Sequence, residues 1–372
     1  MVYMKRNLIY GSVLSMAAMS FLLSSCSEDK DGLESLEEKS FVHLTATIDE
    51  IGSDLRAAWH IQGLQTMNPD YTTPELFKWS NGDEMVSLFS GKKTSEVQYN
   101  LPISTDGDEA TKVDLNLQLP SNGKLWLFYP SSTIENVNEE SGDVENAQVS
   151  LTIDATQSIE NQKKFAFLRT DEITLENGKA TTTNIRFNHL TSLLRFHVWN
   201  ASGRNYVVKE IKIASSAPTV FLKTGNYKLA SKDFEVQKDI NNSTFADALI
   251  WSNVNYRSED ALVDDAGTTL REDIYDALLV TFPVDPDQLD GVELTVSVTL
   301  ADKDNNYAEF TPNPLVLNNT NSATVFSKGF VRGTRTYINM KVSGSNTLEL
   351  VDDIAYPGGW GNHDEEDDVT EE

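Results

Sequence analysis

The chain has 372 residues, 39% hydrophobic and 23% charged, with 57 acidic against 30 basic side chains and a formal net charge of −27. This length and balance suit a globular protein with room for two domains and exclude a disordered chain. So negative a surface is repelled by nucleic-acid phosphates and anionic lipid, and no basic cluster of five or more residues offsets it, so nucleic acid is excluded as a partner.

The amino end has the layout of an export signal. Lys5 and Arg6 precede a mostly apolar run from Leu8 to Leu23, shorter than the roughly 20 residues of a comfortable membrane span. The lone cysteine, Cys26, follows at once, which rules out a disulfide framework and any paired-cysteine redox or zinc site. Leu23, Ser24, Ser25 and Cys26 resemble the bacterial lipobox. That resemblance implies cleavage between Ser25 and Cys26, a diacylglycerol on the thiol and an acylated amino group. Several acyl chains anchor stably where one does not. An unpaired cysteine behind an ordinary signal is the alternative. Residues 1–25 are therefore read as a lipoprotein signal peptide and 26–40 as an acidic tether. An acidic stretch directly behind the cysteine also resembles the surface-export signal of Bacteroidetes lipoproteins.

From residue 41 the recurring period is two. Val42, Leu44, Ala46 and Ile48 alternate with polar residues, and so do the apolar residues of 113–119, 149–153, 194–198, 292–300 and 338–342. Such alternation marks strands with one buried and one wet face, the habit of antiparallel sheets. Turn-forming sequences at 80–84, 121–124, 176–179 and 201–205 separate the runs. At most a short helix is expected, between Asp264 and Ala277. The fold class is all-β, two tandem antiparallel β-sandwiches, with an N-terminal sandwich over 41–188 and a C-terminal one over 189–361. The absence of a fixed repeat disfavours propellers and solenoids. Residues 362–372 are read as an acidic disordered tail.

No catalytic signature is present: the chain lacks a GxSxG elbow, an HExxH helix and a phosphate-binding loop. No catalytic, cofactor or metal residues are assigned, and no cofactor is expected. The pairs Asp264-Asp265 and Asp352-Asp353 read as turn or surface acids rather than facing catalytic carboxylates. His43 and His197 fall on the polar faces of their strands and are expected to be exposed. Trp59, Trp79, Trp126, Trp199, Trp251 and Trp360 offer candidates for a sugar-stacking surface, with packing as the expected role of most.

One family resemblance spans most of residues 41–361. The segments FKWSNGDEMVSLF (77–89), KLWLFYP (124–130), IRFNHLTSLLRFHVWN (185–200), GNYKL (225–229), DALLVTFPV (276–284), GTRTYINMKV (333–342) and the tryptophan at Gly358–Gly361 resemble, in order, the fimbrillin family of Bacteroidetes, whose members are pilus subunits made as lipoprotein precursors. The resemblance implies transthyretin-like sandwiches and a subunit that reaches the outer membrane as a lipoprotein. It further implies a protease cut in the loop after the first strand and a groove filled by a strand of the next subunit. Here that cut falls between Arg56 and Ala57, in the loop 49–59, and the displaced strand carries Val42, Leu44, Ala46 and Ile48. Leu348 and Leu350 mark a possible donor strand, or equally the last fixed strand of the second sandwich. The implied partners are other pilus subunits and the outer membrane. The alternatives are a tethered tip or anchor subunit, an adhesin for host or bacterial glycans or proteins, and, last, an extracellular hydrolase acting through paired carboxylates.

Overall fold

The computed structural model describes residues 39–48, 79–90, 98–105, 109–110, 112–131, 134–137, 148–165, 167–228, 234–235, 245–262, 275–333, 335–344 and 346–351. The strands that build the architecture are, in chain order, β1 (Lys39–Ile48), β2 (Glu84–Phe89), β3 (Gln98–Pro102), β4 (Lys112–Pro120), β5 (Gly123–Tyr129), β6 (Gln148–Thr152), β7 (Leu168–Thr170), β8 (Ile173–Glu176) and β9 (Asn184–His189). They continue with β10 (Ser192–Ala201), β11 (Tyr206–Ser215), β12 (Thr224–Lys228), β13 (Ala248–Ser252), β14 (Tyr275–Thr281), β15 (Leu294–Asp302), β16 (Arg335–Ser343) and β17 (Leu348–Leu350). Among the described residues the one α-helix is α1, Ala323–Lys328.

Two apolar cores, each shared by two sheets, define the sandwiches. In the first large sheet, β5 has β2 and then β3 along one edge and β7 and β8 along the other, and the sheet continues through β9 and β1 to β4. Facing it is a smaller sheet of 234–235, β12, β6 and Ile134–Val137, which adds Val149, Leu151 and Tyr227 to the same core. The second core lies between the sheet Thr156–Gln157, β13, β11, β15, Ala308–Phe310 and the sheet β14, β10, β16, β17. The strands obey the period-two pattern where one face is wet. On β4, Val113, Leu115, Leu117 and Leu119 are buried while Lys112, Asp114, Asn116 and Gln118 are exposed.

Most ladders are antiparallel, as alternation suggests, but β1–β9, β10–β16 and the bridge from Thr156–Gln157 to β13 are parallel. Residues on either side of position 188 share structure. Strand β12 pairs with β6, and Leu278, Val280 and Phe282 join the first core. Among the described residues, the outer edge of β14 is closed by glutamine side chains rather than a strand. Gln157 donates to the Val280 carbonyl (2.8 Å) and accepts from the Val280 amide (2.9 Å), and Gln162 donates to the Leu278 carbonyl. An amide side chain in that position repeats the pattern of a ladder partner and blunts a sheet edge.

Local sequence explains the turns. Asn177 and Gly178, at φ 50° and 75°, join β8 to Lys179–Ala180 by a two-residue hairpin. Positive φ at both central residues is the type I′ geometry whose twist suits flanking strands, and Asn-Gly is its preferred sequence.

Candidate functional site

The first strand is unusual in its placement. β1 lies inside the large sheet, antiparallel to β4 from Lys39 opposite Pro120 to Thr47 opposite Lys112. On its other side it runs parallel to β9, with Thr45–Ile48 opposite Asn184–Phe187. Among the described strands β4 has no other ladder neighbour, so β1 alone ties β4 to the sheet.

Alternation along β1 divides its work. Val42, Leu44 and Ala46 are buried and stand opposite Leu117, Leu115 and Val113. Burying Val42 and Leu44 stabilises the sandwich by about 3–6 kcal/mol, against a net domain stability of about 5–15 kcal/mol. The other face, Phe41 apart, is polar and pinned mostly to β4. Thr45 Oγ1 donates to Asp114 Oδ1 (2.8 Å), His43 Nδ1 lies 3.0 Å from Asn116 Oδ1, and His43 Nε2 is 3.8 Å from Asp114 Oδ1. Toward β9, Thr47 Oγ1 donates to the Ile185 carbonyl (3.2 Å) and the Thr45 amide to the Thr183 carbonyl (2.7 Å). Phe41, on the outer face, is 79% exposed. Without β1, a slot would open between β4 and β9 with two rows of unpaired backbone groups and an apolar floor, a surface suited to accepting another strand.

Ser25, Cys26, Arg56 and Ala57 lie outside the described residues, as do Trp59, Asp264, Asp265, Asp352, Asp353 and Trp360. Ile48 ends β1 opposite Phe187. Leu348 and Leu350 lie on β17, which pairs with β16 in the chain's own second sandwich. Leu348 is buried in that core, and Leu350 packs against it.

His43 is exposed, as expected, but His197 is not. It is 3% exposed, with Nδ1 2.9 Å from Asn339 Oδ1 and Nε2 3.7 Å from Asp276 Oδ1. The reason is that β10 is buried on both faces from Ser192 to Asn200, so alternation there does not mark a wet side. In register, His197 stands between Asp276 of β14 and Asn339 of β16. Its neighbour Arg195, also buried, donates from Nε to both Asp276 oxygens (3.0 and 2.9 Å) and from Nη2 to Oδ2. The signal that could have exposed this cluster is charge inside apolar runs: Arg195 and His197 in LLRFHVW, and Asp276 in YDALLV.

Trp79, Trp126, Trp199 and Trp251 are all buried, so none of the described tryptophans offers a sugar-stacking face. Trp79 packs edge-on against Tyr129 and Phe187, at 5.3 and 5.1 Å between centroids. Tyr129 and Tyr275 are pushed far above the ordinary phenol range, chiefly by burial. No cluster of three potential metal ligands occurs among the described residues. No described helix is long and apolar enough to cross a membrane, which says nothing of crossing by strands.

Fold and site together define an all-β protein with two sandwich cores, in which the amino-terminal strand is an inserted ladder element. No family model matches the chain, and no curated relative does. Its structural neighbours include proteins described as fimbrial or cell-adhesion proteins of Bacteroides and Porphyromonas. A Bacteroides uniformis protein ascribed to cell adhesion is 13% identical, with 83% of this chain and 96% of that one covered and a TM-score of 0.46. A fimbrial protein from Bacteroides vulgatus is 11% identical, covering 73% and 92%, with a TM-score of 0.44. The fimbrial anchor protein Mfa2 of Porphyromonas gingivalis is 12% identical, covering 84% and 95%, with a TM-score of 0.34. At these identities and scores the likeness assigns this chain no partner, substrate or assembly step.

Proposed function

We propose that the chain is a non-enzymatic structural subunit of a cell-surface fimbria. It is exported to the outer membrane as a lipoprotein through Cys26 and joined to other subunits by donor-strand exchange after a cut between Arg56 and Ala57. The two sandwiches, which exchange strands across residue 188, form the subunit body. The observation that carries this reading is the place of β1: an amino-terminal strand, directly behind the tether, inserted between β4 and β9 with Val42, Leu44 and Ala46 buried. A cut after Arg56 detaches Cys26, the tether and β1 together, and the vacated slot accepts a strand of the next subunit. The possible donor, Leu348–Leu350, would have to leave β16 to serve in that role.

The same burial supports a second reading. An uncut chain keeps β1 seated and keeps its lipid, which suits a tethered anchor or tip subunit or an adhesin. Mass spectrometry of protein sheared from the cell surface separates the two. A new amino terminus at Ala57 in ladder-forming polymers is expected for the stalk subunit. A lipidated monomer beginning at Cys26 overturns the stalk role.

A further inference from the structure

At the surface of the second sandwich, two local departures from regular structure converge on one cluster of side chains. The first is a bulge in β11, where the register against β15 slips between Val208 and Glu210 and leaves Lys209 as the extra residue. A bulge bends the strand and re-aims its side chain. The second is the loop from β15 to Ala308–Phe310, where Asn306 and Tyr307 both adopt left-handed backbone, at φ 51° and 58°. That conformation is uncommon for a bulky aromatic residue and costs free energy.

The cluster fixes one guanidinium group. The Tyr256 and Tyr307 rings lie 6.1 Å apart at 80°, and the Arg257 guanidinium carbon is 5.6 Å from each ring centre. Arg257 Nε donates to the Tyr256 hydroxyl (3.0 Å), and that hydroxyl donates to Glu309 Oε1 (3.4 Å). Glu309 Oε2 accepts from Lys209 Nζ (2.6 Å), and the Tyr307 hydroxyl donates to the Arg257 carbonyl (2.9 Å). Arg257 is nevertheless exposed, and among the described residues no hydrogen bond or ion pair uses its Nη1 or Nη2. The group is thus held by two rings and one hydrogen bond, with its planar fork left for an outside acceptor. Such pre-organisation reduces the entropy lost on binding.

We propose that Tyr256, Arg257 and Tyr307, with Lys209 and Glu309, form a surface site for a carboxylated sugar, a uronic or sialic acid unit of a glycan. A carboxylate matches the fork in bidentate geometry. The tyrosine rings offer an apolar wall to the sugar's C–H face, and Glu309 accepts from ring hydroxyls. An acidic peptide fits less well. It would bring several charges toward a chain of net −27 and next to Glu309, whereas an acid sugar brings one charge and several hydroxyls. The site is independent of the fimbrial reading, since it lies in the second sandwich and uses neither β1 nor β17.

The test is calorimetric titration of the full chain with galacturonic acid and with N-acetylneuraminic acid, with galactose and a hexaglutamate peptide as comparisons. Binding of an acid sugar at least about tenfold tighter than galactose is expected. So is a loss of about tenfold or more in Arg257→Lys, whose ammonium cannot present a fork, with an unchanged circular dichroism spectrum and weaker binding at high salt. Equal binding of galacturonic acid and galactose, unaltered binding in Arg257→Lys, or binding of the peptide in place of the sugars would each overturn the proposal, as would no binding of any probe. Polymer formation at the cell surface, with Ala57 as the amino terminus, reports separately on the fimbrial reading.

Discussion

Leu44 of β1 stands directly opposite Leu115 of β4, and both side chains are buried, Leu44 completely. Because β1 is the one described ladder partner of β4, a defect at Leu44 weakens two strands at once. Leu44→Ala is expected to cost about 2–5 kcal/mol, with loss of hydrogen-exchange protection along β4. His43→Ala, on the exposed face next to it, is expected to stay within about 0.5 kcal/mol. Urea unfolding of the two variants is the check, and equal costs would show that β1 is not anchored through its apolar face.

Arg195 and Asp276 form a second testable pair, since both are buried and joined by three hydrogen bonds. Removing one partner takes these three hydrogen bonds from a charge that stays in the interior, where His197 Nε2 lies 3.7 Å from Asp276 Oδ1. Arg195→Met is expected to cost about 3–5 kcal/mol. The double variant Arg195→Met, Asp276→Leu is expected to cost less than the sum of the singles, because both charges of the pair leave the interior together. A double-mutant cycle by denaturant titration gives the coupling, and simple additivity would refute the pairing.

Those two sites also mark where the sequence was readable. Val42, Leu44 and Ala46 were legible because β1 has one wet face, so period two maps onto burial. The Asn177-Gly178 hairpin was legible because its geometry depends on two adjacent residues alone. The burial of His197 was not, because it follows from what covers the second face of β10. That is a long-range fact with no local signature beyond charge in an apolar run. The parallel seating of β1 beside β9 was hidden for the same reason: Thr45 and Asn184 meet across a sequence separation of 139 (184 less 45). The Tyr256–Arg257–Tyr307 cluster joins two loops that nothing in either segment relates.

Glu259 makes stability depend on pH in an unusual direction. Burial pushes its carboxyl above the ordinary range, and the hydrogen bond from Asn253 Nδ2 (2.9 Å) opposes that only in part. A folded value above the unfolded one means that the folded chain holds the proton more tightly. Its stabilising effect is therefore full below the unfolded value of about 4.3 and is lost as the pH rises through the folded value. Glu259→Gln, which keeps an acceptor for Asn253, is expected to raise the melting temperature at pH 7 and to lose that advantage near pH 4. Thermal melts across this interval decide it. A variant less stable than wild type at pH 7 would mean that the carboxylate is favourable where it stands.

Gly329 follows α1 with φ 70° and ψ −161°, a region open essentially to glycine alone. Its amide caps the helix by donating to the Val325 carbonyl (2.9 Å), and the chain then turns so that Phe330 exchanges hydrogen bonds with Val284 at 3.0 and 2.8 Å. A Cβ added at Gly329 would run into the Val284 carbonyl oxygen, a backbone atom that cannot move without breaking that bridge. Phe330 is fully buried in the second core, so a shift here propagates inward. Gly82 is the natural control, with φ 88° but nothing within 4 Å of an added Cβ. Gly82→Ala is expected to cost about 1–2 kcal/mol from backbone strain alone. Gly329→Ala should cost on the order of 3 kcal/mol or more, since a steric clash and a weakened bridge add to the strain. If thermal or urea melts place the two variants level, the close approach of Gly329 to Val284 is not what selects glycine at that position.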